Sequence, residues 1–304
     1  MKTIITTILL SLALAMVAHA DGVQVDVSIT KNFLEENKLA LIKGTGGARD
    51  DLAAFGQDFI MFYGEAAGNP ANKTLAQRGI NAKRAAVVIA QRALTEYLEG
   101  IVLVGATLVK DSVLQNDVIV STVTGFVKGS QVVHQEYNED TDIATAVIKV
   151  AIRGPKGFAS TFYEKLSTDP VLKKAVKTDK KPFIAPEVKL DAAFDGLIID
   201  ATEQNFRPAL INRIFATKGD VLYDPAKISQ KVLVEQGCGE YTNSVDKAKA
   251  ALGTRGVKNP LIIKASGATN PADLQVTDDD AVTIYSADQK GSFMAAAKVA
   301  FVLK

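Results

Sequence analysis

The sequence holds no tryptophan, one cysteine and two histidines among 304 residues, and each scarcity closes a class of function. A single thiol, Cys238, cannot form an intramolecular disulfide, even in an oxidising compartment. Its place after Gly237, at an expected helix end, reads as a small semi-buried residue; an intermolecular bridge or a reactive thiol are the functional alternatives. A His-based zinc site or a Cys–His nucleophile needs ligands or a base that the sequence offers only by pairing His134 with Cys238. His134, beside Val132 and Val133, reads as a structural strand histidine. The lack of tryptophan weighs against a sugar-polymer cleft, while the carboxylate pair of a glycoside hydrolase would leave no local signature. Gly-x-Ser-x-Gly, the nucleophile elbow of hydrolases, is missing. The cluster Gly44-Thr45-Gly46-Gly47 lacks the Lys-Ser/Thr of a P-loop and the dinucleotide spacing, so it reads as a tight turn. Charge of one sign is lacking as well. With 35 Lys+Arg against 34 Asp+Glu, the chain has no general pull toward phosphate backbones, and nucleic acid is not an expected partner.

What is present describes a folded, exported protein. At 47% hydrophobic and 23% charged residues, the composition is that of a globular chain, and the length suggests about two domains. Residues 1–20 carry Lys2 as their only charge, an apolar run over 4–17, and Ala18-His19-Ala20 before Asp21. That order predicts a secretory signal peptide cleaved after Ala20, because small residues fit the peptidase at the −3 and −1 positions. The apolar run is too short for a membrane anchor, and no transmembrane span is expected in the mature chain. The expected location is therefore the periplasm, or a peripheral association with the outer membrane.

Past the leader, residues 21–43 read as an extended lead and then a short helix or strand with Leu34, Leu39, Leu41 and Ile42, and the strongest periodicity lies in 75–99. Ala82, Ala85, Ala86, Val88, Ile89, Ala93 and Leu94 mark an apolar helix face, and Gly100 stands where a left-handed residue would end it. So many alanines allow a close approach to a sheet. Strands are expected over 101–109, 117–127, 130–136 and 141–152, the last with Ala144, Ala146, Ile148, Val150 and Ile152 on one face and Thr145 and Lys149 on the other. Lys128-Gly129 and Asn138-Glu139-Asp140 supply hairpin turns. The expected fold class is α+β: a helix packed on an antiparallel sheet, followed by a second small α/β or α+β domain.

The expected divisions are a signal peptide (1–20), an α+β domain (21–153), a linker with short helices (154–189) and a C-terminal domain (190–304). Lys173, Lys174, Lys177, Lys180 and Lys181 crowd the linker, reading either as a solvated segment or as a weak contact for anionic envelope polymer. In the C-terminal domain a buried strand is expected over 196–201 and a hairpin over 208–223. An amphipathic helix over 228–236 ends at Gly237, and Asn243 is expected to cap the next, with Asp246 at the third position. A strand follows over 261–265, Thr277 caps a helix whose first turn holds Asp278, Asp279 and Asp280, and a strand over 293–303 closes the chain. Those three acids suit a helix dipole and lack the alternating ligands of a calcium loop. No catalytic, cofactor-binding or metal-ligating residue is assigned.

Residues 39–152 resemble the LPP-twenty lipoprotein family of Gram-negative bacteria, which includes flagellar accessory lipoproteins. The resemblance is carried by Gly44-Thr45-Gly46, by Ala82-Lys83-Arg84-Ala85-Ala86-Val87-Val88-Ile89-Ala90-Gln91-Arg92-Ala93-Leu94, by Glu96, Tyr97, Leu98 and Gly100, and by Gly125-Phe126-Val127-Lys128-Gly129-Ser130-Gln131-Val132-Val133. It implies a non-enzymatic structural or assembly role in the envelope, with envelope or flagellar proteins and the chain itself as partners. The sequence departs from the family at one point. The acylated lipoprotein cysteine is replaced by Asp21, which favours a soluble periplasmic protein or one held by partners. A periplasmic ligand-binding module, with a pocket near the lysine-rich linker, and a cell-wall hydrolase are the other readings.

Overall fold

A computed structural model describes residues 51–56, 59–113, 117–154 and 156–304. The signal peptide, Asp21, the 21–43 stretch and the Gly44–Gly47 turn lie outside the described residues. In chain order the elements are α1 (Asp51–Gly56), β1 (Phe59–Ala67), α2 (Leu75–Glu99), β2 (Val102–Val104), β3 (Thr107–Leu108), α3 (Val109–Val113), α4 (Asp117–Lys128), β4 (Gln131–Asn138) and β5 (Ile143–Ala151). Then come α5 (Phe158–Thr168), α6 (Pro170–Ala175), β6 (Gly196–Asp200), β7 (Ala209–Ile211), β8 (Arg213–Ala216), β9 (Val221–Tyr223), a 3-10 turn (Pro225–Lys227), α7 (Gln230–Gln236) and β10 (Glu240–Thr242). The chain closes with α8 (Val245–Thr254), β11 (Pro260–Lys264), β12 (Gly267–Asn270), β13 (Asp273–Val276), α9 (Asp278–Gly291) and β14 (Val299–Val302). The fold is α+β, with 38% helix and 27% strand among the described residues.

Two compact units are interleaved along the chain. Among the described residues, the first gathers 60–98 and 123–150, and the second gathers 51–59, 99–122 and 151–304. In the first unit, α2 lies on the sheet β1-β5-β4, whose β4 and β5 run antiparallel. Ala82 and Ala86 meet Ala144 and Ala146 in one apolar cluster. The approach is so close that a Cβ on Gly64 of β1 would collide with the Ala86 carbonyl and the Ala90 amide, which explains glycine in mid-strand. The buried stripe is Gly79, Ala82, Ala86, Ala90, Leu94, Tyr97 and Leu98. It is narrower than the expected face, because Val88 and Ile89 point to solvent and carry no core. Gly100 does not take the left-handed conformation expected of it. The Asn138-Glu139-Asp140 turn forms as expected, with Asn138 Oδ1 accepting from the Asp140 and Thr141 amides at 2.9 and 3.2 Å. Thr145, expected on the face opposite the apolar one, is buried as well.

Two expected strands are corrected. Residues 117–127 form helix α4. Their β-branched alternation suggested a strand, yet Ile119, Thr122 and Val123 are the buried positions, a helical spacing, and packing outweighs intrinsic preference. Asp117 in the first turn and Lys128 in the last suit the helix dipole. Lys128-Gly129 is accordingly a helix end, not a hairpin, and the Gly129 amide donates to the Gly125 carbonyl at 2.9 Å. The expected strand 101–109 is a tight hairpin, β2–β3, turned at Gly105 with φ +60°, and Val109 opens α3.

The second unit contains a parallel sheet in the order β10-β14-β6-β11, and two smaller sheets, β12-β13-β8-β9 and β3-β2-β7. Parallel strands buried on both faces read as unbroken apolar runs, as in Leu197-Ile198-Ile199. Helix α8 covers one face through Ala248 and Leu252, against Ile198, Ala300 and Val302. Its cap is Ser244, whose side chain accepts from the Lys247 amide, rather than the expected Asn243; Asn243 Oδ1 instead accepts from Lys247 Nζ at 2.8 Å. Thr277 caps α9 as expected, and the final strand spans only Val299–Val302, because 293–297 turn before it. The stretch over 154–189 carries α5 and α6, and α5 buries Phe158, Phe162, Tyr163 and Leu166.

Candidate functional site

Within the second unit, the end of α5, the segment after α6 and the 3-10 turn leading into α7 enclose a half-open cavity of about 420 Å³. Each wall has a local cause. Asp169 ends α5 and caps α6 by accepting from the Leu172 amide at 2.8 Å, with Pro170 in the first turn, so the chain turns sharply and brings 173–178 alongside. Opposite, Asp224 accepts from the Ala226 amide and Ser229 from the Val232 amide, which fixes the short turn and the start of α7. Gln230 Nε2 donates to the Glu164 carbonyl at 3.1 Å and ties α7 to α5. The cavity floor is apolar, from Leu166, Val176, Ile228 and Leu233, and Lys173, Lys177 and Lys227 stand at its exposed rim.

The charge at the cavity is one-sided. Its lining carboxylate is Asp224, which is buried and held by Arg213 Nε at 3.0 Å. Arg213 also donates to the Val176 carbonyl, so the pair anchors both walls from behind. Among the described residues, no ion pair engages Lys173, Lys177 or Lys227. A pocket of this volume with an apolar lining and a few polar groups at one end has the form of a small-molecule site.

Behind the cavity the second unit is wired with buried polar groups. Tyr163 donates to the Leu210 carbonyl at 2.8 Å, Tyr223 to the Cys238 carbonyl at 2.6 Å, and Tyr241 to Asn212 Oδ1 at 2.5 Å. Burial pushes all three phenols well above the ordinary tyrosine range, and the neighbouring Cys238 adds to it. Cys238 itself is 2% exposed, with Sγ 3.1 Å from Tyr241 Oη, so the small-residue reading fits and a surface thiol does not. Glu240 joins Arg153, at 2.7 and 2.8 Å, to Arg255, at 2.9 Å. Burial alone would raise its pKa, but the two guanidiniums hold it below the usual carboxylate range.

The other residues singled out from sequence fall apart. His134 sits in β4 with Nε2 3.7 Å from Glu136 Oε2, in the first unit, whereas Cys238 is in the second. Asp280 accepts the Thr277 hydroxyl at 2.6 Å, which accounts for one of the three acids as cap chemistry. Among the described residues, no group of three or more His, Cys, Asp or Glu is placed to hold a metal. Of the lysine run, Lys173 and Lys177 reach the cavity rim; Lys174, Lys180 and Lys181 do not line it. Lys227 and Leu233 were hidden from sequence reading because they meet α5 only through the fold. The amphipathic pattern over 228–236, with Ile228 and Leu233 facing inward, is the signal that points toward them.

A family model built on the second domain of Treponema pallidum Tp0624 matches residues 196–304. The match starts at the first residue of β6 and includes one wall of the cavity, 224–233, but not the 163–178 wall. None of the curated proteins searched matches the chain. No helix among the described residues is long and apolar enough to cross a membrane.

Proposed function

We propose that this chain is an exported, non-enzymatic envelope protein whose second unit is a ligand-binding module. The observation that carries the binding role is the cavity of about 420 Å³, with an apolar floor and three lysines at its rim that lack ion pairs among the described residues. Export rests on the order of residues 1–20, and the envelope setting on the LPP-twenty resemblance of 39–152. A structural or assembly role among envelope or flagellar proteins is the second reading. It is favoured by β11, an edge strand of the parallel sheet whose Ile262 is 43% exposed.

The deciding experiment is native mass spectrometry of the protein released gently from its host's envelope fraction, paired with sedimentation. Ligand binding predicts a light particle carrying a small, extractable adduct. A large particle of many copies or envelope components, with no adduct, would replace that reading with assembly.

A further inference from the structure

We infer that the cavity takes a free, single-tailed anionic amphiphile, with its apolar tail on Leu166, Val176 and Leu233 and its anionic head among Lys173, Lys177 and Lys227. This rests on the ligand-binding reading above and specifies the class of ligand. The polar groups of the lining divide into those already engaged and those still available. Tyr163 Oη is spent on the Leu210 carbonyl, Ser167 Oγ donates to the Glu164 carbonyl at 2.9 Å, and Gln230 Nε2 donates to the same carbonyl. Asp224, the acid of the lining, already faces Arg213 at 3.0 Å. The charged groups left to greet a ligand are three ammonium groups, with the Thr178 hydroxyl beside them, whose oxygen accepts from the Lys180 amide at 3.2 Å and whose proton is free to donate. Neutral acceptors such as Gln230 Oε1 also line the cavity, but the three positive charges outweigh them, so the complementary head bears negative charge.

The distribution of these groups sets the rest of the ligand. The lysines are exposed while Leu166, Val176 and Leu233 are buried, so charge lies at the mouth and apolar surface at the bottom. An inorganic anion would leave the apolar floor unused. A neutral apolar molecule would leave the rim without its counter-charge. An amphiphile satisfies both ends, and the volume suits one chain of moderate length rather than a two-chain lipid. Lysine, unlike arginine, presents a mobile point charge, so the head is a carboxylate or a phosphate monoester without strict bidentate geometry.

The test titrates the full chain with decanoate, decyl phosphate, decanol and decyltrimethylammonium, each below its micelle concentration. Calorimetry gives affinity, and the methyl resonances of Leu166, Val176, Ile228 and Leu233 report position. The inference expects the two anions to bind roughly 10-fold or more tighter than decanol, and the cation not to bind. The triple variant Lys173→Ala, Lys177→Ala, Lys227→Ala should lose that advantage, keep the decanol affinity and keep the wild-type unfolding midpoint. Equal binding of all four probes at those methyls would overturn the anionic class while leaving a ligand pocket in place. No shift of those methyls with any probe would overturn the pocket reading itself. Binding to phosphatidylglycerol vesicles with none to monomeric decanoate or decyl phosphate would overturn the free ligand in favour of a lipid headgroup.

Discussion

The two units solve the packing problem with opposite materials. In the first, an alanine and glycine stripe on α2 lets helix and sheet backbones nearly touch, and the cluster of Ala82, Ala86, Ala144 and Ala146 carries no charge. In the second, the core is threaded by Arg153, Glu240 and Arg255, by Arg213 with Asp224, and by tyrosine hydroxyls on buried carbonyls and Asn212. Small-residue packing tolerates no added volume but is indifferent to pH. A largely buried ionic network tolerates modest changes of shape but weakens sharply when one partner is lost, because the remaining charges, at 6–23% side-chain exposure, keep little access to water. The contrast also bears on the cavity, whose walls are anchored by Arg213 through Asp224 and the Val176 carbonyl.

The largest effect should follow removal of Glu240. Glu240→Ala leaves Arg153 and Arg255 facing each other and is expected to cost about 3–5 kcal/mol in urea unfolding. Because Glu240 is held below its ordinary range when folded, its contribution is present above the unfolded carboxylate value of about 4.3 and is lost as pH falls through the folded value. The gap between wild type and variant should therefore be widest near neutrality and close in acid. A gap that persists unchanged in acid would mean that packing, not charge, holds this part of the unit.

Next in size is Gly64→Ala, which tests the first unit's material. Its Cβ meets helix backbone, which cannot rotate away as a side chain would, so α2 must shift. The cost should be about 1–3 kcal/mol, measured by thermal or urea unfolding, and independent of pH across the range where Glu240→Ala varies. The thiol of Cys238 offers a reporter for the second unit alone, since the sequence holds no other cysteine. If the units open separately, Gly64→Ala should lower the midpoint of the first transition without hastening thiol labelling.

How much of this was legible in the sequence follows from how local each cause is. Helix α2 could be read because its alanines recur at helical spacing, and Thr277 could be read as a cap because the acids that answer it stand one to three residues on. Helix α4 could not, because Ile119 and Val123 are strand formers by preference and only burial shows their helical spacing. Nor could the interleaved units, since nothing local tells 99–122 that it packs with 151–304. The cavity was half legible: the lysine run announced a cationic surface, but Lys227 and Leu233 join Lys173 and Leu166 only across the fold. The Arg153–Glu240 and Asp51–Arg207 pairs are invisible for the same reason, being 87 and 156 residues apart.

Tyr241→Phe probes the second unit's polar wiring at smaller scale. The substitution keeps the ring against Phe301, at 5.5 Å between centroids, and against Phe55, at 5.6 Å, and removes only the hydroxyl. Asn212 Oδ1 still accepts from the Ala209 amide at 2.8 Å, so no acceptor is orphaned, and the loss should be about 1 kcal/mol. A larger loss would show that the Tyr241, Asn212 and Cys238 contacts act as a cooperative network.

The smallest effect is expected where the first unit does use charge. Arg78 reaches Asp142 at 3.3 Å, with both side chains about 30% exposed, and Asp142 also accepts from Tyr137 Oη. Water screens this pair, and Asp142 keeps a partner when the arginine is lost, so Arg78→Ala should cost about 0.5 kcal/mol or less. Salt should separate the two units again: that cost should vanish at high ionic strength, where ions reach the exposed pair, while the cost of Glu240→Ala should persist because ions do not enter its site. If instead Arg78→Ala proves both costly and insensitive to salt, the first unit also depends on a protected ion pair, and the division into a packed unit and a wired one fails at that point.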